Sequence, residues 1–318
     1  MKKLFIKIGV YTVLILICLE VFVRVFHLTK DYPVRIIDDR GVERWMPNQD
    51  GFSVTGNRRQ NFSEYSINNN GYNSYHNYEP SKNKVEIALI GDSFIEGFHQ
   101  HYYNSIGKKV EDQLENIEVY EFGYAGYDLA DQLHLIYQYQ SFFDLIDYAV
   151  IGLDFDTDLT RSEYYVMQDR MILESPKYQA MRKIKLLVYF QNIGAFDAPR
   201  ELVKRLFSRE ESATNTLNEH DKKVRQKKLH ETYFKNFKSL VNAYGFDKTR
   251  FVFLLDADKA PEFFLSYLKE NNYNYIDFSQ ELKKSDIPTS LIYDMHWNNH
   301  GREIIANLIS NYYRKKLP

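Results

Sequence analysis

The sequence contains a single cysteine, Cys18, among 318 residues. A disulfide framework needs cysteines in pairs, and multi-cysteine zinc or iron–sulfur sites need several, so both classes are excluded. An excess of charge of either sign is also lacking, because 41 Lys and Arg face 43 Asp and Glu, a formal net charge of −2. A general nucleic-acid-binding protein would carry a basic excess, so we expect no nucleic-acid partner.

Aromatic residues are unevenly represented. Tryptophan is scarce at 2, whereas 26 Tyr and 22 Phe bring the aromatic share to 16%. Such an excess is typical of a surface that contacts sugars, or it is only a compositional habit of the source genome. The remaining balance, 44% hydrophobic and 26% charged, is that of an ordinary folded protein.

One long apolar run is present, at residues 4–26, interrupted by Lys7, Glu20 and Arg24. A membrane span needs roughly 20 mostly apolar residues, which this run reaches only if the three charges are tolerated. Lys7 and Arg24 lie near the ends, where long basic side chains can extend to the membrane surface. Glu20 has no such explanation in the sequence.

Two processed forms of this segment are disfavoured. A cleaved signal peptide needs small residues at the cut, and residues 20–26 contain none. A lipoprotein needs a small residue before the modified cysteine, but Ile17 precedes Cys18. We therefore predict that residues 1–27 form a signal anchor, a single transmembrane helix, with the buried helix of a soluble protein as the alternative.

Lysines at the very beginning of the chain predict how this helix is oriented. Lys2, Lys3 and Lys7 precede the apolar run. Under the positive-inside rule they keep the N-terminus in the cytoplasm and leave the rest of the chain outside it.

From residue 85 onwards, short apolar runs alternate with helical patterns. This alternation predicts a parallel sheet covered by helices on both sides. The predicted fold class is therefore α/β, a flavodoxin-like three-layer fold with a central parallel sheet, preceded by the transmembrane helix. The predicted strands are residues 85–90, 119–122, 148–152, 251–255 and 273–277, and a final helix closes the chain.

Two segments fall outside the alternation. Residues 28–84 are polar and rich in turn signals, with short strands predicted at 52–54 and 64–67, and we predict that they form an approach segment. Residues 85–318 form the main domain, with a helical insertion at about 159–243 that contains a charged, mobile loop at 208–223.

The first predicted strand ends in Gly91-Asp92-Ser93. Function in parallel α/β sheets collects beyond the carboxyl ends of the strands. A serine here lies near a helix N-terminus, where the dipole and free N–H groups favour a developing anion. The alternative is that Asp92 or Ser93 only caps the helix.

A second motif, with Asp294, His296 and His300, directly precedes the final helix. An Asp two residues before a His can orient the imidazole and leave its other nitrogen as a general base, as in a Ser-His-Asp triad. His296 and His300 also have zincin spacing, but Trp297 stands where the catalytic Glu is needed. As a further alternative, Asp294 and Asn298 only cap the helix.

The two motifs, in this order, resemble those of the SGNH, or GDSL, hydrolase superfamily of esterases and acyltransferases. The Asp-x-His-Trp-Asn form looks like that of bacterial envelope members that handle sugar esters. The second block of the family, a Gly after the second strand, is matched by Gly126, although Glu121 stands where members often carry Asn. The resemblance covers about residues 85–318 without the insertion.

The third block of the family departs from the pattern. Members carry Asn-Asp after the third strand, and the Asn amide donates to the oxyanion. Here the sequence continues Gly152-Leu153-Asp154-Phe155-Asp156, with Asp156 the preferred counterpart and Asp154 the second choice. An ionised Asp156 would repel the oxyanion, so three possibilities follow. Asp156 is held protonated, or backbone N–H groups alone stabilise the oxyanion, or the protein is a degenerate, non-catalytic member.

The resemblance implies covalent acyl transfer without a cofactor or metal. Ser93 would attack an ester carbonyl, His296 would move the proton and Asp294 would hold His296, while the N–H groups of Ser93 and Gly126 stabilise the oxyanion. Water as acceptor makes an esterase, and a sugar hydroxyl makes an O-acyltransferase. The implied substrate is an acylated, for example acetylated, envelope or exported polysaccharide at a bacterial inner membrane or cell surface. The alternative is a carbohydrate-binding or assembly protein that keeps the fold.

Overall fold

The computed structural model describes residues 1–56, 59–197 and 219–316. Its contacts divide the chain into two compact units. Unit 1 comprises Met1–Tyr32, Gly51–Phe62 and Gln168–Thr216, and unit 2 comprises Pro33–Asp50, Ser63–Met167 and Leu217–Pro318.

Unit 1 begins with helix α1, Lys2–Val25. The helix is long and apolar enough to cross a membrane, and Val23 is its one buried residue. The prediction of an N-terminal helix of membrane-spanning length is thereby confirmed. Three further helices of this unit are α6 at Gln168–Ile172, α7 at Pro176–Arg182 and α8 at Lys185–Asn192.

The Glu20 carboxylate, which interrupts the apolar run, contacts the start of α8 within unit 1. It accepts hydrogen bonds from the backbone N–H groups of Lys185, at 3.0 Å, and Leu186, at 2.7 Å. Arg24 donates to the same carboxylate from Nε, at 2.7 Å. Glu20 therefore caps α8, because the first N–H groups of a helix have no partner within it and attract a negative charge.

Four short strands precede the central sheet. Strands β1, Arg35–Ile37, and β2, Glu43–Trp45, pair antiparallel. Strands β3, Gln49–Thr55, and β4, Asn61–Ile67, form a second two-stranded sheet and include the strands predicted at 52–54 and 64–67. The long helix α9, Glu219–Tyr244, belongs to unit 2, and residues 208–218 of the predicted mobile loop lie outside the described residues.

Five parallel strands form the central sheet of unit 2, in the order β6-β5-β7-β8-β9. Counted along the chain within this sheet, the order is 2-1-3-4-5, which is the flavodoxin-like arrangement. All five predicted strands are present, so the predicted fold class is confirmed. Their bounds are β5 Val85–Gly91, β6 Ile117–Gly123, β7 Tyr148–Leu153, β8 Phe251–Leu255 and β9 Tyr275–Asp277.

Each face of the sheet carries its own apolar core. Successive side chains of a strand point to opposite faces, so Ile87 and Leu89 join one core while Ala88 and Ile90 join the other. Helices cover both faces and complete three layers. Besides α9 they are α2 Ser93–Glu96, α3 Ile106–Glu111, α4 Leu129–Gln138, α5 Gln140–Phe143, α10 Glu262–Glu270, α11 Ser279–Lys283 and α12 Asn299–Arg314.

The strand order reverses at β5, which pairs with β6 on one side and β7 on the other. Chain connections leave such a position in opposite directions, and this opens a crevice beyond the carboxyl ends of the strands. Ser93 begins the helix that directly follows β5, so the fold places it at the carboxyl edge of the sheet, where the strand order reverses.

Candidate active site

Ser93 is the first residue of α2, immediately beyond β5. The Asp92 carboxylate caps this short helix by accepting a hydrogen bond from the N–H of Phe94 at 2.9 Å. The Ser93 hydroxyl makes a different contact, because its Oγ lies 2.8 Å from Nε2 of His296. The two residues are separated by 203 positions in the chain, and the fold brings them within hydrogen-bond distance.

A tight loop before α12 positions His296. Met295 has φ +63°, a left-handed conformation that non-glycine residues rarely adopt. Residues held in such conformations cluster at functional sites. Trp297 is buried and packs against Phe94, with ring centroids 4.7 Å apart. Asn298 caps α12 by accepting a hydrogen bond from the N–H of Gly301 at 2.9 Å, so the capping alternative applies to Asn298.

Asp294 lies beside His296 but holds another histidine more closely. Its Oδ1 is 3.5 Å from Nδ1 of His296, which exceeds an ordinary N–H···O hydrogen bond, and it accepts the backbone N–H of His296 at 3.2 Å. Its Oδ2 is 2.9 Å from Nε2 of His99. Sequence reasoning missed His99, whose only signal is that it follows Ser93 by six residues.

The environment of His296 favours the neutral imidazole. Burial lowers the pKa of His296, and the nearby charge of Asp294 acts in the opposite direction. A neutral ring can accept the Ser93 proton at Nε2, which is what a general base requires. Burial, together with the charge of Asp154, raises the pKa of the neighbouring Asp92 to about 6.

The loop after β6 contains the second block and is held by Glu96. The Glu96 Oε1 accepts hydrogen bonds from the N–H of Ala125, at 3.1 Å, and from Nε1 of Trp45, at 2.7 Å. Gly126 follows with φ +92°, a conformation that suits glycine. Glu96 is only 3% exposed, and burial raises its pKa to about 7.

Gly123, the last residue of β6, allows α2 to lie directly against this strand. A Cβ at Gly123 would lie 2.0 Å from the backbone N of Glu96, so only glycine fits. Glu121, which departs from the family pattern, accepts the N–H of Gly107 at 2.9 Å and contributes to α3 packing. Burial raises the pKa of Glu121 to about 7, while the charge of Arg302 offsets part of this rise.

The loop after β7 contains three aspartates. Asp154 accepts the N–H groups of Asp156, at 2.9 Å, and Thr157, at 3.1 Å. Asp158 accepts the N–H of Asp154 at 2.8 Å, and burial raises the pKa of Asp158 well above its usual range. The Asp156 side chain is 55% exposed and lies 3.4 Å from Nε2 of His230 on α9, so it has a partner other than Ser93.

Among the described residues, His99, Asp294 and His296 are close enough to share a metal ion. One ligand atom from each lies within 4.8 Å of the others. His300 is not part of this group, since its Nε2 lies 2.8 Å from Oγ of Ser285. The zincin alternative for His296 and His300 therefore has no support in the geometry.

No protein-family model matches the sequence, and no curated protein matches it either. Solved structures do resemble it. One is a member of the lipolytic protein G-D-S-L family from Veillonella parvula DSM 2008, with 14% identity, 72% of this chain and 98% of that chain covered, and TM-score 0.38. A lipase/acylhydrolase from Enterococcus faecalis has 12% identity, coverages of 73% and 97%, and TM-score 0.40.

A third similar structure is a lipase from a goat rumen metagenome, with 16% identity, coverages of 72% and 97%, and TM-score 0.40. Within the candidate site, a serine hydroxyl lies 2.8 Å from an imidazole nitrogen of His296, whose pKa is lowered by burial.

Proposed function

We propose that this protein is a serine esterase or O-acyltransferase of the SGNH type. The observation that carries the proposal is the 2.8 Å separation between Oγ of Ser93 and Nε2 of His296. This value lies within the roughly 2.6–3.2 Å over which a general base can take a proton from a nucleophile.

The reaction would proceed in two halves. As His296 takes its proton, Ser93 Oγ bonds to the ester carbonyl carbon, and the tetrahedral anion then expels the alcohol, which receives the proton from His296. In the second half, water or a sugar hydroxyl attacks the acyl-serine, with His296 again as base. Asp294 stabilises the imidazolium that forms in each half.

The oxyanion would be stabilised by the backbone N–H groups of Ser93 and Gly126. For the third block we now assign Asp154 in place of the preferred Asp156. Asp154 is close enough to raise the pKa of Asp92, next to Ser93, whereas Asp156 is exposed and faces His230. Asp154 would reduce the rate, because a carboxylate repels the anion that an amide would bind.

Location and substrate form the finer part of the proposal. Helix α1 would anchor the protein in a bacterial membrane, with the lysines at its start keeping the N-terminus in the cytoplasm. The active site would then be extracytoplasmic and act on acyl esters, such as acetyl esters, of an envelope or exported polysaccharide. The family resemblance of the Asp-x-His-Trp-Asn motif supports this substrate class.

The test is hydrolysis of p-nitrophenyl acetate by the full chain purified in detergent. We expect Ser93→Ala and His296→Ala each to lower kcat/KM by roughly 10³-fold or more. Ser285→Ala is a matched control, because Ser285 also contacts a histidine, His300, at 2.8 Å but lies outside the site. Activity retained in Ser93→Ala or His296→Ala would exclude this mechanism.

A non-catalytic carbohydrate-binding protein is the second candidate. It is favoured by the 3.5 Å separation between Asp294 and His296 and by aspartates in place of the third-block amide. A fluorophosphonate probe decides between the two, since it labels only an activated serine. Absence of labelling at Ser93, with polysaccharide binding unchanged in Ser93→Ala, would favour the binding protein.

A further inference from the structure

Asp294 lies between two histidines and uses a different oxygen for each. Oδ2 is 2.9 Å from Nε2 of His99, and Oδ1 is 3.5 Å from Nδ1 of His296. An ionised carboxylate only accepts hydrogen bonds, so Nε2 of His99 carries the proton and donates it to Asp294. The closer of the two contacts therefore belongs to a residue outside the Ser-His-Asp pattern.

The backbone after Ser93 explains why His99 reaches this position. Gly97 ends α2 with φ +70°, and a Cβ there would lie 2.7 Å from Nη1 of the buried Arg302. The turn sends Phe98 into an aromatic cluster with Tyr65, at a centroid distance of 4.8 Å. His99, the next residue, lies against His296. One short segment thus supplies both the nucleophile and the partner of Asp294.

His99 also packs on the ring of the proposed base. The His99 and His296 rings are stacked, with centroids 4.0 Å apart and an interplanar angle of 20°. Phe94, from the same segment, contacts His296 at a centroid distance of 4.6 Å. These two contacts restrict rotation of the His296 ring and keep Nε2 directed at Ser93.

We propose that His99 is a positioning residue that holds Asp294 in place for His296, an inference that rests on the proposed function. The His99 N–H restrains Oδ2 and so keeps Oδ1 facing Nδ1 of His296. When His296 accepts the Ser93 proton at Nε2, the ring becomes an imidazolium, and its Nδ1–H already faces Oδ1, so the Asp294 carboxylate stabilises the new positive charge. Without His99, Asp294 would turn towards water, because its loop neighbours Tyr293 and Met295 are exposed.

Two substitutions separate the hydrogen bond of His99 from its stacking. His99→Phe keeps a ring on His296 and removes the donor, whereas His99→Gln keeps an N–H donor and removes the ring. For p-nitrophenyl acetate hydrolysis by the full chain in detergent, we expect His99→Phe to lower kcat about 10- to 100-fold, with KM changing less than about twofold. This is the range for loss of a hydrogen bond to a charged group. His99→Gln should recover at least half of that loss on a logarithmic scale.

The pH profile provides a readout that general destabilisation would not change. The charge of Asp294 raises the pKa of His296, so a displaced Asp294 moves the acidic limb of kcat/KM to lower pH. We expect this shift in His99→Phe and not in His99→Gln. His101→Gln is the matched control, because His101 lies two residues away and contacts Glu64 instead. Equal activity in wild type and His99→Phe would overturn the proposal.

A spectroscopic measurement separates failure of this proposal from failure of the proposed function. In the full chain with ¹⁵N-labelled histidine, the proton on Nδ1 of His296 should give a hydrogen-bonded signal at acidic pH. The signal should persist in Ser93→Ala and His99→Gln and be lost in His99→Phe, even if the wild type hydrolyses no ester. Persistence in His99→Phe would overturn the proposal, as would loss of activity with EDTA, which would make His99 a metal ligand.

Discussion

The two strands that flank β5 end in different ways at the candidate active site. At the end of β6, Gly123 lies against the backbone of α2, and the buried Glu96 holds the following loop through the N–H of Ala125. In β7, a Cβ on Gly152, one residue before the strand end, would meet its nearest atoms at 3.6 and 3.7 Å, and the following loop carries three aspartates.

This difference separates two tasks of the site. The β6 side is tightly packed and holds the loop that presents Gly126, so its geometry depends on packing. The β7 side leaves room and contributes negative charge, so its influence on an anionic intermediate is electrostatic. Substitutions on the β6 side should therefore change mainly the free energy of unfolding, and those on the β7 side should change mainly kcat.

The largest effect should come from a methyl group placed at the end of β6. Gly123→Ala puts a Cβ 2.0 Å from the backbone N of Glu96, and the backbone of α2 cannot move away without disrupting its packing on β6. We expect the free energy of unfolding to fall by about 3 kcal/mol or more, with loss of esterase activity. Gly152→Ala, the matched control, should change it by less than about 1 kcal/mol. Denaturant unfolding in detergent measures both, and equal effects would remove the contrast between the strand ends.

Glu96 should make stability depend on pH. Its pKa in the folded protein is about 7, above its ordinary value of 4.5, so the folded state binds the proton more tightly than the unfolded state. The stabilisation is complete below about pH 4.5 and is lost as pH rises through about 7. Glu96→Gln keeps an acceptor oxygen and removes the charge.

We therefore expect Glu96→Gln to flatten the fall in unfolding free energy between pH 4.5 and 7, by up to roughly 1.4 kcal/mol per pH unit. Part of the slope should remain, because the pKa of Glu121 is also raised, to about 7. Glu96→Ala should instead lower stability at every pH, since it leaves the Trp45 and Ala125 donors without their acceptor. An unchanged slope in Glu96→Gln would show that Glu96 is ionised in the folded state.

The smallest effect should be a gain in rate on the β7 side. Asp154→Asn removes a negative charge that acts on Asp92, the residue before Ser93, and supplies an amide like the one in the third block of the SGNH pattern. We expect kcat for p-nitrophenyl acetate to rise about tenfold, which is less than the roughly 10²- to 10³-fold that one oxyanion donor contributes in an optimised site. Asp156→Asn, on the exposed side chain that faces His230, should change kcat less than about twofold. A rise in Asp156→Asn alone would restore Asp156 as the third-block residue.

The sheet and the Ser93–His296 pair were predictable because each has a local signal. A buried parallel strand reads as an apolar run, and the five runs matched the five strands to within three residues at each end. The two motifs follow or precede regular elements whose ends meet at one edge of the sheet. Once the fold is assigned, the topology brings the two side chains together.

Glu96 and His99 had no comparable signal. In sequence they are a charged and a polar residue after a turn, which is the pattern of an exposed loop. Their roles depend on Ala125 and Asp294, partners 29 and 195 positions away. The partner of Glu20 is a helix start 165 positions away, and no periodicity in the chain predicts such a contact.

The contact between Glu20 and α8 has a practical consequence for making a soluble fragment. Cutting the chain after residue 27 removes the predicted anchor and, with it, the carboxylate that accepts the N–H groups of Lys185 and Leu186. The truncated product would retain α8 with its first turn uncapped, at a cost of about 1 kcal/mol, typical of a lost helix cap. A fragment that begins a few residues before Glu20 would keep this cap while discarding most of the apolar helix.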